Sequence, residues 1–118
     1  MDELLQKYRR YFHAHPELDD DTYGTAAYIE NELKKYNCRI EKPINGSVCA
    51  FFDCGKRETV AFRSDMDALP VRENTGLSFS SAREGVMHAC GHDGHMAMVL
   101  ALAGETERRR ETLPRNVL

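Results

Sequence analysis

Residues 59–70 read TVAFRSDMDALP, and this stretch decides the fold. Thr59 to Arg63 is rich in β-branched and aromatic residues and predicts a strand that runs directly into the carboxylates Asp65 and Asp67. In α/β proteins, ligand sites lie at the carboxyl edge of the sheet, so both aspartates are candidate site residues. The alternative is a solvated turn in which the aspartates cap nearby amides. In either case, Arg63 is placed to neutralise one of them.

Two helices and a hairpin are predicted before this strand. Apolar residues recur at helical spacing, and Pro16 ends the first helix because the residue before a proline disfavours helical angles. The turn between the first two strands is predicted at Asn45-Gly46, a dipeptide that favours tight hairpins. The helices are predicted over 2–14 and 21–36, and the strands over 38–43 and 47–53.

A loop, a third helix and a final strand are predicted after it. The loop covers 71–93, the helix runs over 94–110 with Asp93 as a candidate N-cap, and 116–118 opens a strand beside the third one. Helices that alternate with short strands predict an α/β fold, a sheet flanked by helices.

Length and composition exclude several classes of protein. The chain has 118 residues, 30% of them charged, and a net charge of −3. This length predicts a single domain. Without a basic block, neither nucleic acid nor an anionic membrane is expected as a partner. No apolar run approaches the roughly 20 residues that span a bilayer. The first ten residues, MDELLQKYRR, do not resemble a secretory signal, so a cytoplasmic protein with reduced cysteines is expected, although four cysteines also allow two disulfides.

The histidine-rich stretch MHACGHDGH at 87–95 carries the chemistry. Thiolate and imidazole together suit zinc or a similar divalent metal. Cys90 and His92 are two residues apart, so on an extended backbone their side chains point to the same side. We therefore predict that this pair binds a metal ion.

Two other interpretations of the stretch stay open. A structural zinc site needs four protein ligands, which His13 and His15 would have to complete. A cysteine nucleophile with a histidine base is the second, although His92 is poorly placed to take the proton of Cys90.

Three motifs resemble a known family. FHAHPEL at 12–18, AFRSDMDALPVRENTGL at 61–77 and GVMHACGHDGHMAM at 85–98 resemble the amidohydrolase branch of the M20 metallopeptidases, which includes N-acyl-amino-acid, hippurate and auxin-conjugate amidohydrolases. The resemblance implies that residues 1–118 are the N-terminal segment of a zinc-peptidase-like catalytic domain, without the family's inserted lid and dimerisation domain. Full-length members are expected to be homodimers.

The resemblance also implies roles for individual residues. Cys90 and His92 match metal ligands in a site for two divalent ions, zinc or manganese. Asp67 matches the aspartate that supports the metal site, and Asp65 stands where other branches have a histidine ligand. His88 and His95 match histidines that orient the ligands.

The implied reaction is hydrolysis of the amide bond of an N-acyl amino acid by metal-activated water. The general-base glutamate is expected beyond residue 118, since Glu84, Glu105 and Glu107 lack the motif context. The chain alone is therefore expected to be catalytically silent. The alternative is a non-catalytic metal-binding or interaction module from a truncated gene.

Overall fold

The computed structural model describes residues 2–19 and 21–118 and has the α/β organisation that the sequence predicts. The helices are α1 (Asp2–Ala14), α2 (Tyr23–Leu33) and α3 (His92–Arg109), with a 3-10 turn at Arg110–Thr112. The strands are β1 (Arg39–Glu41), β2 (Cys49–Phe51), β3 (Thr59–Val60) and β4 (Asn116–Val117).

The four strands pair as two short ladders. β1 and β2 form the predicted antiparallel hairpin, but both are shorter than predicted, and residues 42–48 form a longer loop in place of the tight turn. β3 pairs in parallel with β4, so the expected pairing of the last strand with the third is confirmed. An isolated bridge between Phe52 and Val117 joins the two ladders. β3 ends earlier than the predicted 59–63, yet the amide of Phe62 still donates to the carbonyl of Leu118 at 2.8 Å. The extended chain thus continues towards Asp65 and Asp67.

The core lies where α1 packs against α3. Tyr8 and Phe12 of α1 are each 1% exposed, and they share one apolar cluster with Met96 and Leu100 of α3 and with Phe52. The helical spacing of apolar residues therefore predicted the correct buried faces. Burying an aromatic side chain of this size contributes about 2–3 kcal/mol, so this contact fixes α3 relative to α1.

Two helix boundaries differ from the prediction. α2 covers 23–33 and not 21–36, and the carboxylate of Glu17 accepts hydrogen bonds from the amides of Gly24 and Thr25 in its first turn. α3 begins at His92, because Gly91 at its N-cap takes a left-handed φ of 81° that turns the chain directly into the helix. Asp93 is therefore not the N-cap. It lies inside the first turn and is buried.

Neither disulfides nor long apolar helices contribute to the described fold. All four cysteines are free thiols: Cys38, Cys49 and Cys54 are half-buried and Cys90 is exposed. The two-disulfide alternative is therefore wrong. Within 2–19 and 21–118, no helix combines the length and the apolar character needed to cross a membrane.

Candidate metal centre

The backbone brings the three sequence motifs together. The amide of Ala68 donates to the carbonyl of Glu17 at 2.7 Å, and Leu69 exchanges two hydrogen bonds with Met87 at 2.9 and 3.0 Å. The DMDALP segment thus lies between the HPEL segment and the start of the histidine-rich stretch. This arrangement brings Asp67 next to the N-terminus of α3.

His92 is oriented by Asp67. Its Nδ1 lies 2.8 Å from the backbone carbonyl oxygen of Asp67 and 3.1 Å from the Oδ1 of the same residue. Because a carbonyl oxygen can only accept, Nδ1 carries the hydrogen, and in the neutral ring Nε2 keeps its lone pair. A metal-binding histidine usually has this second hydrogen bond, which fixes the ring and its tautomer. The His92 side chain is 22% exposed, so the ring remains accessible to solvent.

Cys90 adds a soft donor two residues before this imidazole. Its thiol is free and exposed, and only Gly91 separates it from His92. In the described part of the chain, no three His, Cys, Asp or Glu side chains are arranged to hold a metal ion. Cys90 and His92 therefore supply two of the ligands that a metal ion needs, one thiol and one pre-oriented imidazole. This pair of ligand types suits zinc or a chemically similar divalent ion.

The remaining predicted site residues lie in different environments. Asp65 is half exposed and pairs with Arg63 at 2.6 Å, so one aspartate is neutralised by Arg63 as expected. It makes no hydrogen bond to His92. His95 is exposed, and its ring centroid lies 6.0 Å from that of His92. Asp67 is thus the aspartate that contacts the ligand segment, and Asp65 is not.

His88 is buried without partners. It is 4% exposed, and neither ring nitrogen has a hydrogen-bond partner in the described structure. Burial lowers the pKa of His88 below its ordinary value, which keeps the ring neutral. No hydrogen bond of His88 therefore supports its predicted role in orienting the ligands, and that role stays a prediction.

Sequence reasoning missed a buried cluster next to this site. The Nδ1 of His13 lies 2.8 Å from the Oδ2 of Asp93, and its Nε2 lies 2.9 Å from the Oε1 of Glu73. The three side chains are only 3–5% exposed. Glu73 also accepts hydrogen bonds from Ser81 and Thr75. His13 and Glu73 both lie within the motifs at 12–18 and 61–77, which could have marked them as site residues. No spacing rule, however, predicts a contact between positions so far apart in the sequence.

Charge pairing governs the protonation of this cluster. Burial alone would lower the pKa of His13, but its hydrogen bonds to Glu73 and Asp93 outweigh burial and raise it. Burial would raise the pKa of Glu73, whereas its hydrogen bonds to Ser81, Thr75 and His13 lower it to about 2. Glu73 is therefore ionised at neutral pH.

The two alternative chemistries find no support in these contacts. Both ring nitrogens of His13 face carboxylates, and in the described residues no three potential ligand side chains gather to hold an ion, so His13 and His15 do not complete a four-ligand zinc site. For the cysteine nucleophile, no hydrogen bond between Cys90 and a histidine occurs in the described residues, and the Nδ1 of His92 is directed at Asp67.

Comparison with known proteins supports the resemblance at the family level. Residues 61–118 match the model of peptidase family M20/M25/M40. Uncharacterized hydrolases of Staphylococcus aureus and Staphylococcus haemolyticus are each 36% identical to 98% of this chain. The chain spans 31% of the length of these curated relatives.

Two solved structures show the same backbone arrangement. A crystal structure of a candidate aminohydrolase from methicillin-resistant Staphylococcus aureus matches 98% of this chain with a TM-score of 0.93 and 40% identity. A Bacillus subtilis protein, described as a dinuclear metal-binding peptidase of the M20 family, matches 96% of it with a TM-score of 0.86 and 37% identity. The chain covers 32% of each of these structures. The α/β fold is therefore similar to that of about one third of each of these two structures.

Proposed function

We propose that this chain is the N-terminal segment of a metal-dependent amidohydrolase of the M20 type, which hydrolyses the amide bond of N-acyl amino acids. The observation that carries the proposal is the hydrogen bond from the Nδ1 of His92 to Asp67, which leaves Nε2 available for a metal ion two residues after Cys90. The family match over 61–118 and the dinuclear metal site described for the Bacillus subtilis relative point to the same chemistry.

Three residues of the chain would bind the metal ion or orient its ligands. The sulfur of Cys90 and the Nε2 of His92 would hold an ion, zinc or manganese, in a site that takes two ions in the full-length protein. Asp67 would keep the imidazole of His92 in its neutral, metal-binding tautomer, since its carbonyl accepts the Nδ1 hydrogen. A bound divalent ion supplies Lewis acidity and lowers the pKa of a coordinated water.

Three glutamates of the described residues are engaged with other groups. Glu73 is held by His13 and Ser81, Glu105 pairs with Arg108 and Arg109, and Glu107 pairs with Arg110. None of these three carboxylates hydrogen-bonds to His92, and the general-base glutamate is expected beyond residue 118. We therefore expect the 118-residue chain by itself to bind metal without turning over N-acyl amino acids.

Cobalt binding tests the metal half of the proposal. The purified chain is titrated with Co²⁺ alone, and the thiolate-to-cobalt charge-transfer band is recorded. We expect the band in the wild type and in the matched control Cys54→Ser, whose thiol lies near the carbonyl of Phe52. We expect Cys90→Ser to abolish the band. A band that persists in Cys90→Ser, or no binding by the wild type, would contradict the ligand assignment.

Hydrolysis of N-benzoyl amino acids tests the catalytic half. It is measured with zinc or manganese on the chain and on the longest product of the reading frame that contains it. We expect turnover only from a longer product, and its loss in Cys90→Ser. Metal binding without turnover by any product would favour the alternative, a non-catalytic metal-binding module.

A further inference from the structure

The geometry around His13 favours a protonated ring. Its two nitrogens face two different carboxylates, Asp93 at 2.8 Å and Glu73 at 2.9 Å. A carboxylate oxygen accepts hydrogen bonds, and a histidine ring donates from both nitrogens only as an imidazolium ion. This arrangement therefore favours the imidazolium form of His13, although its side chain is only 4% exposed.

The charges that face this ion balance it. Arg9 lies one turn earlier on α1, and its Nε is 3.5 Å from the Oδ2 of Asp93. Two cations, His13 and Arg9, thus meet two carboxylates, and the fourth titratable neighbour, His88, is neutral. Arg9 is 54% exposed, so it offsets the remaining carboxylate charge from the solvent side, and this pairing of charges avoids part of the penalty of burying a single ion.

The cluster connects segments that are far apart in the sequence. His13 is the penultimate residue of α1, Asp93 is the second residue of α3, and Glu73 lies in the long loop between β3 and α3. Asp93 directly follows His92. Any displacement of Asp93 therefore moves the imidazole that Asp67 orients.

We propose that His13 is a positioning residue: through Asp93 and Glu73, its imidazolium ion holds the first turn of α3 so that His92 stays hydrogen-bonded to Asp67. The benefit of this arrangement for metal binding rests on the proposed function, whereas the positioning of His92 does not. The two parts can therefore be tested separately.

The first test measures the ring nitrogens without metal. The 118-residue chain, with ¹⁵N-labelled histidine and a chelator present, is examined by NMR at about pH 7, where an ordinary histidine is mostly neutral. In the wild type we expect both nitrogens of His13 to carry hydrogen and His92 to carry it on Nδ1 only. A His13 ring with one protonated nitrogen would overturn the proposal.

The second test breaks the cluster. Glutamine cannot donate hydrogen bonds on two opposite sides, so in His13→Gln we expect His92 to become a mixture of tautomers. His15→Gln, which changes an exposed histidine two residues away, is the matched control and should leave His92 unchanged. Unaltered His92 signals in a folded His13→Gln chain would overturn the proposal.

A milder variant covers the case in which His13→Gln does not fold. Glu73→Gln keeps the shape of the cluster and removes one charge, so His13 should lose a proton at about pH 7. His92 should then populate both tautomers, as expected for His13→Gln. If both residues keep their wild-type signals in Glu73→Gln, the proposal fails.

A cobalt titration separates this proposal from the proposed function. We expect Co²⁺ affinity to fall about tenfold in a His13 or Glu73 variant. A loss of this size is typical when residues that orient a metal ligand are replaced. If the wild type binds no Co²⁺ while the metal-free NMR results are as expected, the proposed metal site fails and the positioning of His92 stands. If Co²⁺ binds equally well in every variant, His13 does not act on the metal site.

Discussion

Two histidines in this chain are almost equally buried, yet their surroundings are opposite. His13 is 3% exposed and has a carboxylate at each ring nitrogen, whereas His88 is 4% exposed and has a partner at neither. Accordingly, the pKa of His13 is raised and that of His88 is lowered. Burial alone therefore does not determine the charge of an imidazole. The partners that the tertiary structure brings to it decide whether the ring is an ion or a neutral group.

Removal of His13 should have the largest effect on stability. His13→Leu leaves Asp93 and Glu73 buried without their shared cation, which should lower the free energy of unfolding by about 3–5 kcal/mol. Urea unfolding followed by circular dichroism at pH 7 measures this. His15→Leu, on the exposed side of the same segment, should change it by about 0.5 kcal/mol or less. Equal losses in the two variants would show that His13 contributes no special pairing.

Acid should weaken the same cluster. The pKa of Glu73 is about 2 in the folded chain and 4.5 without these contacts, so its contribution is present above pH 4.5 and is lost as the pH falls towards 2. We expect the wild type to lose about 2 kcal/mol more than Glu73→Gln over this range. Parallel pH profiles for the two chains would contradict this.

Alkaline pH should also weaken this cluster, because His13 loses its proton there. The pKa of His13 is raised above 6.5, so its contribution is complete below pH 6.5 and disappears as the pH rises through the folded value. The stability difference between the wild type and His13→Leu should therefore shrink at alkaline pH. A difference that grows with pH would exclude an imidazolium ion at this position.

Replacement of His88 should change stability little or increase it. Since neither nitrogen is bonded, His88→Leu removes an unsatisfied polar group and keeps most of the volume, so stability should stay within about 1 kcal/mol of the wild type or rise. Thermal unfolding of the metal-free chain measures this. A loss as large as that of His13→Leu would mean that His88 has partners of equal strength.

The smallest effect is expected at the exposed aspartate. Asp65 pairs only with Arg63, whose side chain is 86% exposed, and such surface pairs contribute between zero and about 1 kcal/mol. Asp65→Asn should therefore change stability by about 0.5 kcal/mol or less. It should also leave Co²⁺ affinity unchanged, whereas Asp67→Asn should reduce it because Asp67 contacts His92. Equal reductions in both variants would contradict the distinction between the two aspartates.

Much of the fold could be predicted because it depends on local patterns. The recurring apolar residues of 2–14 predicted α1, which buries Tyr8 and Phe12, and Asn45-Gly46 predicted the hairpin. The prediction began α3 two residues too late. The helix starts at His92 because Gly91 adopts a left-handed conformation at the N-cap, and that conformation is set by the path of the preceding loop. Asp93 was accordingly taken as a cap, although it is a partner of His13.

The sequence by itself determined the residue types at the candidate metal site and the order of the elements, since a Cys-Gly-His spacing and periodic apolar positions are local properties. The tertiary structure alone decided that Asp67, and not Asp65, orients His92, and that His13 meets Asp93 and Glu73. These contacts join residues 25 to 80 positions apart. Such pairs form only after α1, the DMDALP segment and α3 have packed together, and no periodicity along the chain encodes that packing.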